Sequence, residues 1–184
     1  MTHLAHLVIQ PVEPGDLPAL FVYLDDHLQD NGMNGTPLFQ PMARHESFFP
    51  AARKSAFATG LATPVGAPNW RRAWIALDAD GGIAGHVDVR ARPEKTAAHR
   101  ALLGMGVHRD YRRQGLGQRL LQVAQDWAAQ ETGLDWIDLE VIATNLPGRA
   151  LYLAHGFRIT GETTDMFRID GEKLGYTYMT LGLR

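Results

Sequence analysis

Hydrophobic and polar positions change period several times along the chain, and each change predicts an element. Near the start "HLVIQPV" alternates and is rich in branched side chains, which predicts a strand. "EPGD" interrupts it, and "LPALFVYLDDHLQ" then sets Leu17, Leu20, Phe21 and Leu24 at helical spacing, with Asp16 as the expected N-cap. Residues 30–46, "DNGMNGTPLFQPMARHE", crowd prolines and glycine turns too closely for a long regular element, so a loop is expected. A second helix is expected over "SFFPAARKSAFATGL". Two short runs in "WRRAWIALDADGGIAGHVDVRAR" flank "DADGG", the clearest hairpin signal of the chain, and "ALLGMGV" adds another strand. From Gly115 to Gly133 a helix carries Leu116, Leu120, Ala124, Trp127 and Ala128 on one stripe, with Gln118, Gln122, Gln125 and Asp126 opposite. "DWIDLEVI" reads as a strand, "LPGRALYLAHG" as a short helix, and "FRITGETT" and "LGYTYMTLGL" as closing strands.

The resulting order, in which a meander is followed by a strand, helix, strand unit, implies an α/β fold with a mixed sheet. Composition narrows the picture. A chain of 184 residues, 45% hydrophobic, suits one compact domain over residues 1–184, with no repeat, linker or low-complexity segment. A net charge of -2 supplies no global basic field, so neither nucleic acid nor an anionic membrane is an expected partner. Without cysteine there is no disulfide framework, thiolate nucleophile or cysteine-ligated zinc. No run reaches 18 apolar residues and the N-terminal stretch lacks a signal-peptide pattern, so the expectation is a soluble, unprocessed, cytoplasmic protein, with homodimerisation left open.

Against that mild background, "HRDYRRQGLGQRLLQ" concentrates arginines and two glycines at the head of a helix. Glycine lacks the Cβ that holds a ligand off the backbone, and a helix start presents unpaired N–H groups with partial positive charge. Arg112, Gln114, Gly115 and Gly117 there would form a phosphate cradle; a solvated charge run over a flexible helix start is the alternative. A P-loop is excluded, because Gly117 precedes Gln118 instead of Lys-Ser/Thr. A dinucleotide fingerprint fits poorly: position 120 is Leu and seven residues separate Val107 from Gly115, although Glu140 falls near the place of a ribose-binding acid.

Read together, "LLGMGVHRDYRRQGLGQRLL" and "LEVIATNLPGRALYLAHGF" resemble the GCN5-related N-acetyltransferase (GNAT) family. The family's pyrophosphate motif, Gln/Arg-x-x-Gly-x-Gly/Ala, stands here as Arg112-Arg113-Gln114-Gly115-Leu116-Gly117. Asn145, Leu151, Tyr152, Gly156 and Phe157 follow at the family's intervals, with Gly148 in place of a frequent alanine. By motif the resemblance covers residues 101–157, and by element order the flanks. It implies a mixed, mostly antiparallel twisted sheet of about seven strands with flanking helices, splayed into a V between residues 101–107 and 136–142. Acetyl-coenzyme A would lie in the V as co-substrate. The backbone of Met105, Gly106 and Val107 would pair with pantetheine, and N–H groups from Arg113 through Gln114, Gly115 and Leu116 to Gly117 would hold the pyrophosphate. Arg109, Arg112 and Arg113 would add charge-assisted contacts, and Asn145 would cap its helix and also meet pantetheine.

The chain's two serines, Ser47 and Ser55, lie outside any Gly-x-Ser-x-Gly, so a covalent acyl-enzyme lacks its parts and direct attack by an amine remains. Such attack needs a base for the ammonium and an acid for the departing thiolate. Tyr152 matches the family's acid, against the plain alternative of a core tyrosine. The family's usual glutamate position is Leu102. Glu140, 12 residues before Tyr152 as in the branch that acetylates N-termini of ribosomal proteins, is the next candidate. Alternation places it opposite Ile137, Leu139 and Val141, and whether that face lines the V stays open. Asp88, His86, His99 or water are substitutes. Eight scattered histidines without His-Glu-x-x-His give no metal site. By resemblance the acceptor pocket involves residues 31–49 and the last strand pair, where Phe39, Phe48, Phe49, Phe167, Tyr176 and Tyr178 supply aromatic walls or simply plug the core. Asp165, Asp170 and Glu172 would attract a cationic acceptor. A small-molecule amine is the first expectation, a protein N-terminus or lysine the second, and a silent acyl-CoA-binding module or a dinucleotide oxidoreductase the remaining ones.

Overall fold

A computed structural model describes residues 6–131 and 133–184. In chain order the elements are β1 (Val8–Pro11), α1 (Leu17–Gln29), α2 (Ala51–Ala62), β2 (Arg71–Leu77), β3 (Ile83–Ala91), β4 (Arg100–Val107), α3 (Leu116–Gln130), β5 (Trp136–Ile142), α4 (Leu146–Ala154), β6 (Arg158–Ile169) and β7 (Glu172–Gly182). The strands form one seven-stranded sheet in the order β1-β2-β3-β4-β5-β7-β6. Every neighbouring pair is antiparallel except β4–β5. This is the α/β, mostly antiparallel architecture expected from the letters.

Two apolar layers hold the sheet. On one face α3 buries Leu116, Leu120, Leu121, Ala124 and Ala128 against Val87, Val89 and Leu103, while Trp127 packs on Trp70 and Trp74. Each such leucine contributes about 1.5–3 kcal/mol of transfer free energy. On the other face α1 and α2 bring Leu20, Tyr23, Leu24 and Phe57 onto Ala73 and Ile75.

The pair that departs from regular pairing is β4–β5. It pairs only at Arg100, Ala101 and Leu102 with Trp136, Ile137 and Asp138, and beyond those the two strands separate. Asp138 fastens the closed end: its carboxylate accepts from Arg100 Nε at 2.8 Å, Arg92 Nη1 at 2.9 Å and Thr180 Oγ1 at 2.7 Å. Those cations hold the Asp138 carboxyl below the ordinary aspartate range even though burial opposes it.

Several boundaries differ from the sequence reading. Asp16 stands at the N-cap position of α1 as expected but makes no side-chain cap bond; its carboxylate accepts from Glu13 N at 2.9 Å and closes a short turn before the helix. The second helix begins at Ala51, not at residue 47, because the ring of Pro50 disfavours helical geometry in the residue before it. α3 ends at Gln130, short of Gly133. β6 continues past Thr164 to Ile169, since β7 supplies ladder partners as far as Glu172 across two register shifts. The loop over residues 30–46 is irregular but ordered by Asn31, which is fully buried. Its Nδ2 donates to Gln40 O, Met42 O and Ser47 Oγ, and its Oδ1 accepts from Phe39 N and Gln40 N. No helix among the described residues is long and apolar enough to cross a membrane.

Between α1 and the sheet, His86 Nδ1 lies 3.2 Å from the Tyr23 hydroxyl, and burial lowers its pKa from 6.5 to about 4. Between those values the unfolded chain binds a proton that the native chain refuses, so stability is intact above pH 6.5 and falls as pH drops toward 4. The loss from this group amounts to about 3 kcal/mol. Urea titrations from pH 7 to 4.5 should show a falling midpoint in the wild type and a shallower fall in His86→Gln.

Candidate active site

Separation of β4 from β5 opens a cleft of about 840 Å³. Its wide end is built by the segment after Val107, which turns at residues 109–111 and enters α3 through two left-handed residues, Arg113 (φ +57°) and Gly115 (φ +90°). Left-handed residues in close succession turn backbone N–H groups toward one point, and the first turn of α3 adds donors without intrahelical partners. Gly115 suits the position because it adopts a positive φ without a Cβ clash. The result is a concavity for an oxyanion, lined by Arg113, Gly115 and Gly117.

The arginines around it divide in a way the letters did not show. Arg112 reaches Asp30 Oδ2 at 2.6 Å, Thr36 Oγ1 at 3.2 Å and Val107 O at 3.0 Å. Arg109 holds Asp30 Oδ1 at 2.9 Å and Asp26 Oδ2 at 2.9 Å. Both guanidiniums also line the cleft, and their ion pairs fasten the turn to the end of α1. Arg113 makes no ion pair among the described residues and lines the cleft. The Gln114 side chain donates to Asp110 O at 2.8 Å, so it braces the turn.

Met105, Gly106 and Val107 form one wall, and Asn145 and Leu151 lie on the other. Asn145 caps α4 by accepting from Gly148 N at 3.2 Å. A Cβ at residue 148 would sit 2.9 Å from Asn145 Nδ2, which explains why glycine stands where alanine was expected.

At the narrow end the cleft is lined by Tyr152, Glu140, Leu102, Arg90 and Tyr176. Burial raises the Tyr152 phenol to about 12, its ring packs edge-on against Phe157 at 5.8 Å, and no described residue hydrogen-bonds its hydroxyl. Its proton therefore stays on at neutral pH. Glu140 is exposed in the cleft lining beside Tyr176, whose phenol it helps keep protonated. The face left open by the sequence thus does line the V. The substitute bases fall away: Asp88 is held by Arg71 Nη1 at 2.6 Å and Arg90 Nη1 at 3.1 Å, His86 is buried under α1, and His99 lies exposed at the start of β4 outside the lining.

Of the acceptor-side aromatics, Phe39 and Tyr176 line the cleft, with Phe167 edge-on to Tyr176 at 4.9 Å. Phe49 packs with Phe21 and Phe57 in the core, Phe48 is exposed, and Tyr178 faces a separate hollow beside Arg92 and Asp138. The acids expected to attract a cation are already engaged: Arg44 bonds both Asp170 at 2.9 Å and Glu172 at 2.7 Å, leaving one negative charge between them, and Arg168 bonds Asp165 at 2.9 Å. Through Arg44, and through Leu38 packed on Ile142, Ile169 and Leu174, the loop over residues 30–46 bridges α1 to the β6–β7 arm. Among the described residues no group of three or more His, Cys, Asp or Glu is placed to hold a metal ion.

His27 was missed. It lines the cleft, stacks on Phe39 at 4.8 Å and Tyr23 at 5.8 Å, and its Nδ1 is buried without a hydrogen-bond partner. Burial and nearby cations hold it neutral. Its spacing of seven from Leu20 and three from Leu24 puts it on the buried stripe of α1, a signal available in the sequence.

The family model of the acetyltransferase (GNAT) family matches residues 43–157, and the chain belongs to that family. An acetyltransferase of GNAT family from Streptococcus pneumoniae shares 25% identity with a TM-score of 0.78, covering 96% of this chain and 99% of that one. The Salmonella typhimurium protein yncA, solved with its cofactor acetyl-CoA, is 16% identical with a TM-score of 0.76 over 97% and 94% of the two chains. Spermidine N-acetyltransferase from Vibrio cholerae, solved with CoA and spermine, is 18% identical with a TM-score of 0.71 over 97% and 96%. No curated protein sequence matches the chain.

Gly106 is fixed by crowding: a Cβ there would lie 2.4 Å from His27 Nε2 and 2.8 Å from His86 Cε1. Gly106→Ala should therefore cost about 1–3 kcal/mol by displacing both rings, read as a lower denaturation midpoint.

Proposed function

We propose that the chain transfers the acetyl group of acetyl-coenzyme A directly to the primary amine of a small molecule. One observation carries this reading: a single cleft joins an oxyanion concavity at the head of α3 to a free phenol and an open carboxylate at the closed end of the split. The residues present fit the coenzyme. The N–H groups from Arg113 to Gly117 would hold its diphosphate, aided by Arg113, and the unpaired edge of β4 would hold its arm, with Asn145 opposite. When bound, the coenzyme supplies the activated thioester.

Glu140 takes a proton from the acceptor ammonium and passes it to solvent along its exposed side. The freed nitrogen lone pair forms the new N–C bond, the C–S bond breaks, and its electron pair leaves on sulfur. Tyr152 donates its phenolic proton to that sulfur, and the nitrogen's second proton returns through solvent to the phenolate, so thiol, amide and a regenerated phenol result. The loop that Arg44 ties to the β6–β7 arm narrows access at the acceptor side, which supports a small acceptor over a folded protein surface. The spermine-bound Vibrio cholerae neighbour supports a small amine as well. Leu102, in place of the family's glutamate, favours the second reading, a module that binds acyl-CoA without turnover.

Release of free thiol from acetyl-coenzyme A in the presence of mixed amines separates the two. Tyr152→Phe should lower kcat by about 100-fold with coenzyme affinity unchanged; binding without thiol release in the wild type would select the silent module. Gly117→Glu places negative charge in the concavity, and calorimetry should find coenzyme binding abolished. Glu140→Gln should remove the acidic limb of the pH–rate profile.

A further inference from the structure

Charge at the acceptor end is set by what remains after pairing. Asp170 and Glu172 are occupied by Arg44, Asp30 by Arg109 and Arg112, and Asp138 by Arg92 and Arg100. Two unbalanced charges stay in the lining there. Glu140 meets only the neutral Tyr176 phenol, which burial and Glu140 itself keep protonated. Arg90 shares the single carboxylate of Asp88 with Arg71, leaving two guanidiniums against one negative charge, and its side chain is 35% exposed.

The sheet places these opposite charges on one face of the cleft. Arg90 faces Leu102 across β3–β4, and Leu102 faces Asp138, two residues before Glu140, across β4–β5. The strands bearing Arg90 and Glu140 are thus two spacings apart, about 10 Å, at the paired end, and farther apart at Glu140, where β4 and β5 have separated. The Arg90 guanidinium shortens that span by lying over Gly104, where a Cβ would come within 3.0 Å of Nη1. Between the two charges the floor is apolar Leu102 and the wall is Tyr176, whose phenol feels the charge of both Glu140 and Arg90.

We propose that the acceptor is a zwitterion, an amino acid or close analogue whose carboxylate is bound by Arg90 while Glu140 receives its ammonium. The inference rests on the acetyl-transfer reading and gives it a substrate class. A polyamine fits poorly, because its second ammonium would meet Arg90, and Asp165, Asp170 and Glu172 lie outside the cleft lining. A carboxylate, by contrast, meets a planar donor that can bind both of its oxygens.

The test measures thiol release with free amino acids, their decarboxylated amines and spermidine, in the wild type, Arg90→Gln and Arg90→Lys. The wild type should prefer at least one amino acid over its decarboxylated amine by about 100-fold in kcat/KM. Arg90→Gln should erase that preference through a KM raised for the amino acid far more than for its decarboxylated amine, and Arg90→Lys should restore part of it. Faster turnover of spermidine or of decarboxylated amines in the wild type overturns the zwitterion while preserving acetyl transfer. Equal loss for all acceptors in Arg90→Gln overturns it too. Failure of transfer itself shows separately, as no thiol release with any acceptor. In that case calorimetric titration of the amino acids into the CoA-bound protein decides the matter: Arg90-dependent binding sustains the class of ligand, and none overturns it.

Discussion

Everything at the site depends on how short the parallel pairing is between β4 and β5. Three residue pairs close the sheet and then the strands part. A parted sheet leaves backbone groups without ladder partners, an arrangement that has to be offset elsewhere or filled by a ligand that pairs in their stead. Asp138, drawn on by two guanidiniums and a threonine hydroxyl, holds the hinge of the V at a fixed place. A buried acid with several strong donors is directional, so it sets register and angle where leucine packing alone would tolerate slippage.

Distance along the chain matters little to this arrangement. α1 and the loop after it lie far from α3 in sequence, yet Asp30 joins both arginines of the glycine turn to the C-terminal end of α1. The turn thus keeps its shape through side-chain pairs while its backbone N–H groups stay unobstructed. Arg109 and Arg112 thus hold the turn while still lining the cleft, and Arg113 lines it without an ion pair among the described residues.

Much of this was legible in the letters. Alternation and helical stripes located every strand and helix, because each element buries one face and periodicity reports burial. The glycine turn, Asn145 and Tyr152 were likewise legible, being local in sequence and tied to two linked motifs. What stayed hidden was pairwise and distant. Nothing in "ARHE" reveals that Arg44 will pair with both Asp170 and Glu172, 126 and 128 residues away. The same holds for the guanidiniums on Asp30 and for the two on Asp88. His27 and Asn31 were passed over because polar residues inside an apolar stripe or a polar loop look like surface until the surroundings close over them.

Asn31 carries one more consequence. Asparagine followed by glycine is the dipeptide whose side chain most readily deamidates through attack by the next backbone nitrogen, and Asn31 precedes Gly32. Here the amide is buried and fixed by five hydrogen bonds, and Gly32 N is directed at Pro37 O. Chemical ageing at this position is therefore slow only while the loop stays folded. Each transient opening exposes the amide, and conversion to aspartate would install a buried carboxylate facing two carbonyls, so the molecule's shelf life is written into one side chain beneath its acceptor wall.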